Sequence, residues 1–427
     1  MKVLIVGGGG REHALAWKAA RSPRAERVYV APGNAGTARE AGVENVPLAA
    51  EDIAGLLAFA QARAVDLTIV GPAAPLVAGI ADRFRAAGRL LVGPSQAAAE
   101  LEGSKAFAKD FLARHGIPTA DYRCFDALEP ALAHVRSRGV PLVIKADGLA
   151  AGKGVVVAQD LASAEAAVHD MLSADGLGGT GARVVIEDYL DGEEASFICL
   201  VDGRTALPLA SSQDHKTRDD ADHGPNTGGM GAYSPAPVVT DAVHERIMRE
   251  VIDPVVDGMA AEGRPFTGFL YAGLMISPAG EPRVLEFNVR GGDPETQPIM
   301  MRLSSDLIEL CEAVASGGLN GIEPRWDKRA ALGVVMAAGG YPGAYRKGDV
   351  ISGLDEVADG DDLCVFHAGT AEDAAGRPIV AGGRVLCVTA LGAGVREARD
   401  AAYGAVERIS WPDVHFRRDI GHRALSR

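Results

Sequence analysis

Residues 143–157 read Val143-Ile144-Lys145-Ala146-Asp147-Gly148-Leu149-Ala150-Ala151-Gly152-Lys153-Gly154-Val155-Val156-Val157. Two apolar, β-branched runs flank a tip that holds three glycines and a lysine. A phosphate loop of the Walker A kind needs four residues between its glycines, a Ser or Thr after the lysine, and then a helix. Here three residues separate Gly148 from Gly152, Gly154 follows Lys153, and a strand comes next. The stretch reads as a hairpin with a glycine-rich, lysine-bearing tip. Backbone N–H groups at such a tip can fold over a triphosphate, because glycine lets the main chain approach closely. Lys145, at the end of the first strand, can point at the α- and β-phosphates.

Upstream, short apolar strands at Lys2–Val6, Val28–Val30, Leu67–Val70 and Leu90–Val92 alternate with helical patterns, and each runs into a Gly or Pro turn. That alternation predicts βαβ units and a parallel sheet, with ligands at the carboxyl ends of the strands. The first turn, Gly7-Gly8-Gly9-Gly10-Arg11-Glu12, is not a dinucleotide fingerprint. The third glycine position falls on Glu12 or His13, and no acidic residue ends the second strand. What remains is an anion site built from N–H groups at a helix N-terminus together with Arg11.

Downstream, Ser104 reads as the N-cap of a helix that carries Phe107, Phe111 and Leu112 on one face and stops at Gly116-Ile117-Pro118. Val284–Arg290 alternates strictly, so Glu286, Asn288 and Arg290 share one face of a strand and Leu285, Phe287 and Val289 the other. A carboxylate and an amide oxygen about 7 Å apart along a strand can grip a hard cation, and Arg290 stands one step on to pair a carboxylate. The strand Val184–Ile186 ends in Glu187-Asp188-Tyr189-Leu190, with Glu194 seven residues past Glu187, a hinge that suits an adenine and its ribose. Residues 211–235 show no secondary-structure pattern. The reading there is disorder or function, with Asp214, His215 and Lys216 able to meet a substrate and His215 expected to be a solvated bystander.

Composition bounds the rest. A chain of 427 residues suggests roughly three domains. The net charge of −14, with acidic and basic residues interspersed, disfavours nucleic acid. No apolar run is long enough for a membrane span. Five scattered cysteines without zinc spacing, and an N-terminus that reads as a strand rather than a leader, suit a reduced, cytoplasmic chain.

Seven motifs carry a resemblance: GGREHALAW at 9–17, APGNAGTA at 31–38, GSKAFAKDFL at 103–112, IKADGLAAGKGV at 144–155, SQDHK at 212–216, GPNTGGMGAYSPAP at 224–237 and GDPETQP at 292–298. In order and over nearly the whole chain, they resemble the phosphoribosylamine–glycine ligase family of the ATP-grasp superfamily. The resemblance implies an α/β chain with an N-terminal parallel-sheet βαβ domain at 1–103. An ATP-grasp domain at 104–325, with a glycine-rich lid subdomain at about 120–192, and a small mixed α/β C-terminal domain at 326–427 would follow. It implies ATP-driven ligation of glycine to 5-phosphoribosylamine through a glycyl phosphate, in de novo purine synthesis.

Carried over by position, Lys105 and Lys145 would be nucleotide lysines, with Gly148, Gly152, Lys153 and Gly154 in the lid. Glu187 and Leu190 would form the adenine hinge, Glu194 would hold the ribose, and Glu286 and Asn288 would hold Mg²⁺ or Mn²⁺. Arg290 would meet the glycine carboxylate, with Asp214, Lys216 and Asp293 also touching substrate. Gly9, Arg11, Asn34, Gly36, Thr37, Gly71 and Pro72 would receive phosphoribosylamine. The implied partners are small molecules only, and the chain is expected to be a monomer or weak homo-oligomer.

Two positions depart from the family pattern. Ala73 replaces the usual Glu, and Gly291 an aromatic; both bear on substrate affinity. Three other readings compete: a ligase with a different amine acceptor, a nicotinamide-dependent oxidoreductase, and a nucleotide-binding protein without turnover.

Overall fold

The computed structural model describes residues 1–149, 154–173, 182–357 and 360–427. Five N-terminal strands, β1 (Lys2–Gly7), β2 (Arg27–Pro32), β3 (Val43–Asn45), β4 (Leu67–Val70) and β5 (Leu90–Val92), form a parallel sheet in the order β3-β2-β1-β4-β5. Val3, Leu4, Ile5 and Val6 are all fully buried. Leu4 and Val6 pack toward Leu56 and Phe84, and Val3 and Ile5 toward Leu15 and Trp17, so both faces of the sheet are covered. β3 has one apolar residue in three, too little to be read from sequence. Strand order reverses at β1, so the turn after it opens on a crevice.

Ser104 caps the helix Lys105–Arg114, its hydroxyl accepting from the Phe107 N–H at 3.1 Å. Phe111 and Leu112 are buried on its inner face; burial of such a side chain contributes ~1.5–3 kcal/mol. The strands β6 (Tyr122–Phe125), β7 (Leu142–Ala146), β8 (Val155–Ala158) and β9 (Val184–Asp188) form an antiparallel sheet in the order β6-β9-β7-β8. β7 and β8 pair with Lys145 opposite Val155, the hairpin expected from the glycine-rich stretch. Two tip residues of the expected lid, Gly152 and Lys153, lie outside the described residues.

The chain continues through β10 (Glu193–Asp202), β11 (Ala206–Pro208), β12 (Gln213–Asp214), β13 (Thr217–Asp219), β14 (His223–Asn226), β15 (Gly231–Ser234), β16 (Thr267–Ile276) and β17 (Pro282–Asn288). The order β11-β10-β16-β17 makes a second antiparallel sheet. Residues 211–235 are therefore not irregular, which corrects the expectation. β13 and β14 pair as a ribbon, while β12 and β15 join the C-terminal sheet. Each of these strands is two to four residues long and broken by Gly, Pro or Asp, so no alternation is visible in the sequence.

That last sheet adds β18 (Ala330–Ala337), β19 (Leu363–His367) and β22 (Arg384–Gly392), in the order β12-β15-β18-β22-β19, with β20 (Thr370–Glu372) and β21 (Pro378–Val380) as a small ribbon beside it. The helix Val395–Val406 lies on it through Ala398, Ala402, Ala405 and Val406, which recur at helical spacing. Among the described residues, no helix is long and apolar enough to cross a membrane.

Candidate active site

One cavity of about 700 Å³ opens where the four larger sheets come together. Its walls come from the N-terminal domain (Arg11, Pro72, Ala73), the Ser104-capped helix (Lys105, Lys109), the hairpin sheet (Lys145, Gly148, Glu187, Leu190) and β10 (Glu194). The 211–235 segment (Asp214, Lys216), β17 and its following turn (Glu286, Asn288, Arg290, Asp293, Glu295), and the C-terminal domain (Tyr341, Arg384) complete it.

The hairpin is anchored through Asp147. Its carboxylate accepts from the Ser104 hydroxyl at 3.1 Å, the Ala106 N–H at 3.2 Å and the Arg183 guanidinium at 2.6 and 2.9 Å. Those bonds outweigh burial and hold the Asp147 carboxyl below its ordinary range. The start of the glycine-rich tip is thereby tied to a helix N-terminus. Lys105 Nζ donates to the Gly148 carbonyl at 2.8 Å.

At the base of the hairpin lies a buried cation–anion–cation group. Glu187 meets Lys145 Nζ at 2.8 Å on one oxygen and Lys109 Nζ at 2.7 Å on the other. Lys145 also donates to the Leu285 carbonyl at 2.9 Å, and Lys109 to the Thr119 hydroxyl at 2.6 Å. Burial brings Lys109 down to about 8 in spite of Glu187. The Glu187 side chain is thus spent on two lysines, and only its main chain is left for the expected adenine hinge.

β17 carries Glu286 and Asn288 into the cavity, but its alternation is interrupted. The pairing with β16 shifts between Gly273 and Leu274, so Leu285 also borders the cavity, as does Phe287, which corrects the strict two-face assignment. Burial works to raise the Glu286 carboxyl. Lys216, Lys145, Lys105 and Arg290 outweigh it and hold Glu286 at about 2. Lys216 Nζ stands 3.4 Å from both Glu286 and Glu194. Arg290 donates to the Asn288 amide oxygen at 2.7 Å and to the Gly291 carbonyl at 3.1 Å, and pairs Glu102 at 3.2 Å.

The Gly291 carbonyl also accepts from Arg11 at 3.0 Å, so one peptide oxygen joins two guanidinium groups. A Cβ at Gly291 would meet the Thr296 hydroxyl at 2.8 Å. The space an aromatic side chain would need at this position is filled by Thr296 and the Arg11 stem.

The turn after β1 holds the chain's own carboxylate. Glu12 accepts from the Gly9 N–H at 2.6 Å and from Arg11 Nε at 2.6 Å. A Cβ at Gly71 would lie 1.9 Å from a Glu12 oxygen, so the glycine there makes room for Glu12. One main-chain donor of the expected helix-end anion site, the Gly9 N–H, is therefore already bonded within the chain. Asn34 and Thr37 are also satisfied internally. The Asn34 side chain accepts from the Gly36 and Thr37 N–H groups at 2.8 and 3.0 Å and donates to the Gly8 and His367 carbonyls at 3.0 and 2.8 Å. Gly9, Asn34, Gly36, Thr37, Gly71 and Gly154 do not line the cavity; Arg11 and Pro72 do.

The 211–235 segment gives two outcomes. His215 is buried among Arg417, Arg423 and His422, and burial together with those cations brings it down to about 3. It is neither solvated nor placed in the cavity, which corrects the expectation. Asp214 is buried and borders the cavity, and one of its oxygens has no hydrogen-bond partner among the described residues. Burial and the negative field of Glu295 push its carboxyl up. Glu295 accepts from the Ser196 hydroxyl at 2.9 Å, and that hydroxyl lies 3.0 Å from the Tyr271 hydroxyl.

Sequence reasoning misses Lys109, Asp147, Glu295, Tyr341 and Arg384. Lys109 was within reach, since it stands four residues after Lys105 on one helix face. Arg384 has no sequence signal. It arrives from the C-terminal sheet and donates to the Asp293 carboxylate at 3.0 Å and to the Gly228 and Asp293 carbonyls at 2.5 Å.

A glycine-tipped antiparallel sheet facing a second antiparallel sheet across a lysine-lined cavity, with a parallel-sheet domain on one side, defines an ATP-grasp protein. Three family models match in sequence: phosphoribosylglycinamide synthetase N domain at 1–102, its ATP-grasp (A) domain at 103–296, and its C domain at 331–423. The chain belongs to the phosphoribosylglycinamide synthetase family.

Among similar proteins, the phosphoribosylamine–glycine ligase of Allochromatium vinosum is 66% identical over 100% of this chain and 99% of its own length. That of Yersinia pestis is 63% identical over 100% of both. The crystal structure of phosphoribosylamine–glycine ligase from Thermotoga maritima superposes with a TM-score of 0.82 at 34% identity, covering 98% of this chain and 100% of that one. Biotin carboxylase from Campylobacter jejuni, at 14% identity and a TM-score of 0.74 over 97% and 92% of the two chains, shares the fold alone.

Proposed function

We propose that this chain joins glycine to 5-phosphoribosylamine, splitting ATP to ADP and phosphate, by way of glycyl phosphate. The observation that carries the reading is the convergence of Lys105, Lys145, Lys216 and Arg290 on Glu286 and Asn288, in one cavity that strands β7 and β8 border. Family membership over the whole length supports the choice of substrates.

A carboxylate does not accept an amine until one oxygen becomes a good leaving group. A glycine carboxylate oxygen attacks the γ-phosphorus, and the bond to ADP breaks. The sugar amine then attacks the glycyl carbonyl, and phosphate leaves. The first step needs charge neutralisation more than a base. Lys145, braced between Glu187 and the Leu285 carbonyl, and Lys105, on the Gly148 carbonyl, supply fixed positive charge beside the lid.

Glu286 and Asn288 are hard oxygen donors on one strand. Glu286 is held ionised by its lysines, a donor set that fits Mg²⁺ or Mn²⁺. Such a cation, when bound, neutralises phosphate charge. Lys216 and Arg290 stand on those same oxygens, and with a cation held there they would be free to meet phosphate or carboxylate.

Glycine is assigned to the end of the cavity bordered by Arg290, Asp293 and Asp214. Arg290 takes its carboxylate, and the unpartnered Asp214 oxygen near Glu295 takes its ammonium. Phosphoribosylamine is assigned to the Arg11, Pro72 and Ala73 wall. The lid shields glycyl phosphate from water. ADP release measured with ATP, glycine and phosphoribosylamine, omitting each in turn, tests the reading. Sustained release is expected only with all three, and release that ignores glycine overturns it.

A further inference from the structure

The segment that carries Lys216 is held by an ionic clamp, not by an apolar core. Arg417, whose side chain is fully buried, donates to both Asp419 oxygens at 2.8 Å, pairs Asp222 at 3.0 Å, and reaches the Thr217 hydroxyl at 2.9 Å and the Thr217 carbonyl at 3.3 Å. The neighbouring tail repeats the pattern. The Ala221 N–H donates to Asp419 at 2.8 Å, the Arg418 N–H to Asp220 at 2.7 Å, and Arg423 to Asp222 at 2.7 Å. On the other side of Lys216, the Gly421 N–H donates to His215 Nε2 at 3.2 Å.

Both chain neighbours of Lys216 are therefore fixed by the same stretch, residues 417–421, some two hundred positions away in sequence. The Lys216 carbonyl is held in addition by the Thr227 N–H at 2.7 Å and the Thr227 hydroxyl at 2.9 Å. With its main chain pinned on three sides, the Lys216 ammonium is delivered to a point 3.4 Å from both Glu194 and Glu286.

A buried ion group is a poor way to gain stability, because desolvation offsets most of the Coulomb attraction and an apolar cluster of the same volume does as well. What a planar guanidinium adds is direction, since its donors fix carboxylate and carbonyl partners in one plane. Besides its two carboxylate partners, the clamp directs one donor to Thr217, the residue that follows Lys216.

We infer that Arg417 is a positioning residue for Lys216, and that the C-terminal tail over residues 415–423 completes the frame of the phosphate end of the cavity. This inference rests on the proposed function. Arg417 touches no substrate; it acts by keeping Lys216 where phosphate charge develops. Misplacement of a charged group by about 1 Å can cost on the order of 100-fold in rate.

Steady-state kinetics on the intact chain test this with Arg417→Lys, Lys216→Met and the double variant, each followed by a thermal melt. Lysine keeps the charge and loses the fork. We expect Arg417→Lys to lower kcat about tenfold or more, with the KM for ATP changed far less. The double variant is expected to be no slower than Lys216→Met alone, because the clamp has nothing left to position. A merely structural role lowers the melting temperature and multiplies with Lys216→Met. Multiplying rate losses, or an unchanged kcat in Arg417→Lys, overturn the inference. An unchanged rate in Lys216→Met overturns it as well while leaving glycine-dependent ADP release, and so the proposed function, standing. Absence of that release in the parent chain removes both. If Arg417→Lys does not fold, Asp222→Asn takes its place, since it removes one carboxylate and keeps the Arg417–Asp419 pair; the same non-additivity is expected.

Discussion

Replacing Glu187 with Gln removes the one negative charge between two buried ammonium groups. Lys109 and Lys145 approach its oxygens at 2.7 and 2.8 Å, and the three side chains are at most 7% exposed. At that exposure little solvent screens the group, so the cost is that of leaving buried charge unpaired, about 3–5 kcal/mol. At roughly 2–4 °C per kcal/mol the melting temperature falls by roughly 10 °C. The double variant Glu187→Gln with Lys109→Met restores the charge balance and should regain at least half of that loss, since one unpaired ammonium is gone. The KM for ATP should rise in both, because Lys145 loses its brace. Thermal melts and ATP titrations of the two variants are the assay. A loss below about 1 kcal/mol in the single variant would place the group among surface ion pairs and refute the reasoning. So would a double variant less stable than the single.

Three further outcomes are expected. Glu286→Ala should abolish ADP release with the fold retained, measured by turnover and circular dichroism; undiminished turnover removes Glu286 from the metal assignment. Arg384→Met removes a donor from one Asp293 oxygen and from two carbonyls and should raise the KM for glycine about tenfold while the KM for ATP moves less. His215 and His367 are buried and each brought down to about 3, so between that value and about 6.5 the unfolded chain binds protons that the native chain refuses. Stability should then fall on acidification, by about 2 kcal/mol per histidine between pH 7 and pH 5 in urea titrations; a flat profile contradicts their burial as neutral groups.

Much of this arrangement is legible in the chain itself. The hairpin follows from glycine spacing and flanking β-branched residues, the helix start from Ser104, and the parallel sheet from strands that end in glycine turns. Fourteen named residues of the expected site, from Arg11 through Asp293, border one cavity. What the sequence hides has physical causes. Glu12 fills the first turn because a side chain at the third helical position folds back on the Gly9 N–H, and with glycine at the cap only the acidic half of the usual capping pair is written in the sequence. Glu187 reads as a ligand-facing acid because its two lysines lie 78 and 42 positions upstream. The strands between 211 and 235 are short and gain their stability from sheet partners near residue 332 and from the Arg417 clamp, so local pattern carries no trace of them. Contacts made across the chain are the part that a linear reading cannot supply.

The most direct test of the central claim is a crystal structure of the chain with magnesium and a non-hydrolysable ATP analogue. The account predicts the metal on the Glu286 carboxylate and the Asn288 amide oxygen, Arg290 withdrawn from Asn288, and Lys145 on the phosphates. A triphosphate lodged elsewhere, with Arg290 still bonded to Asn288, would contradict it.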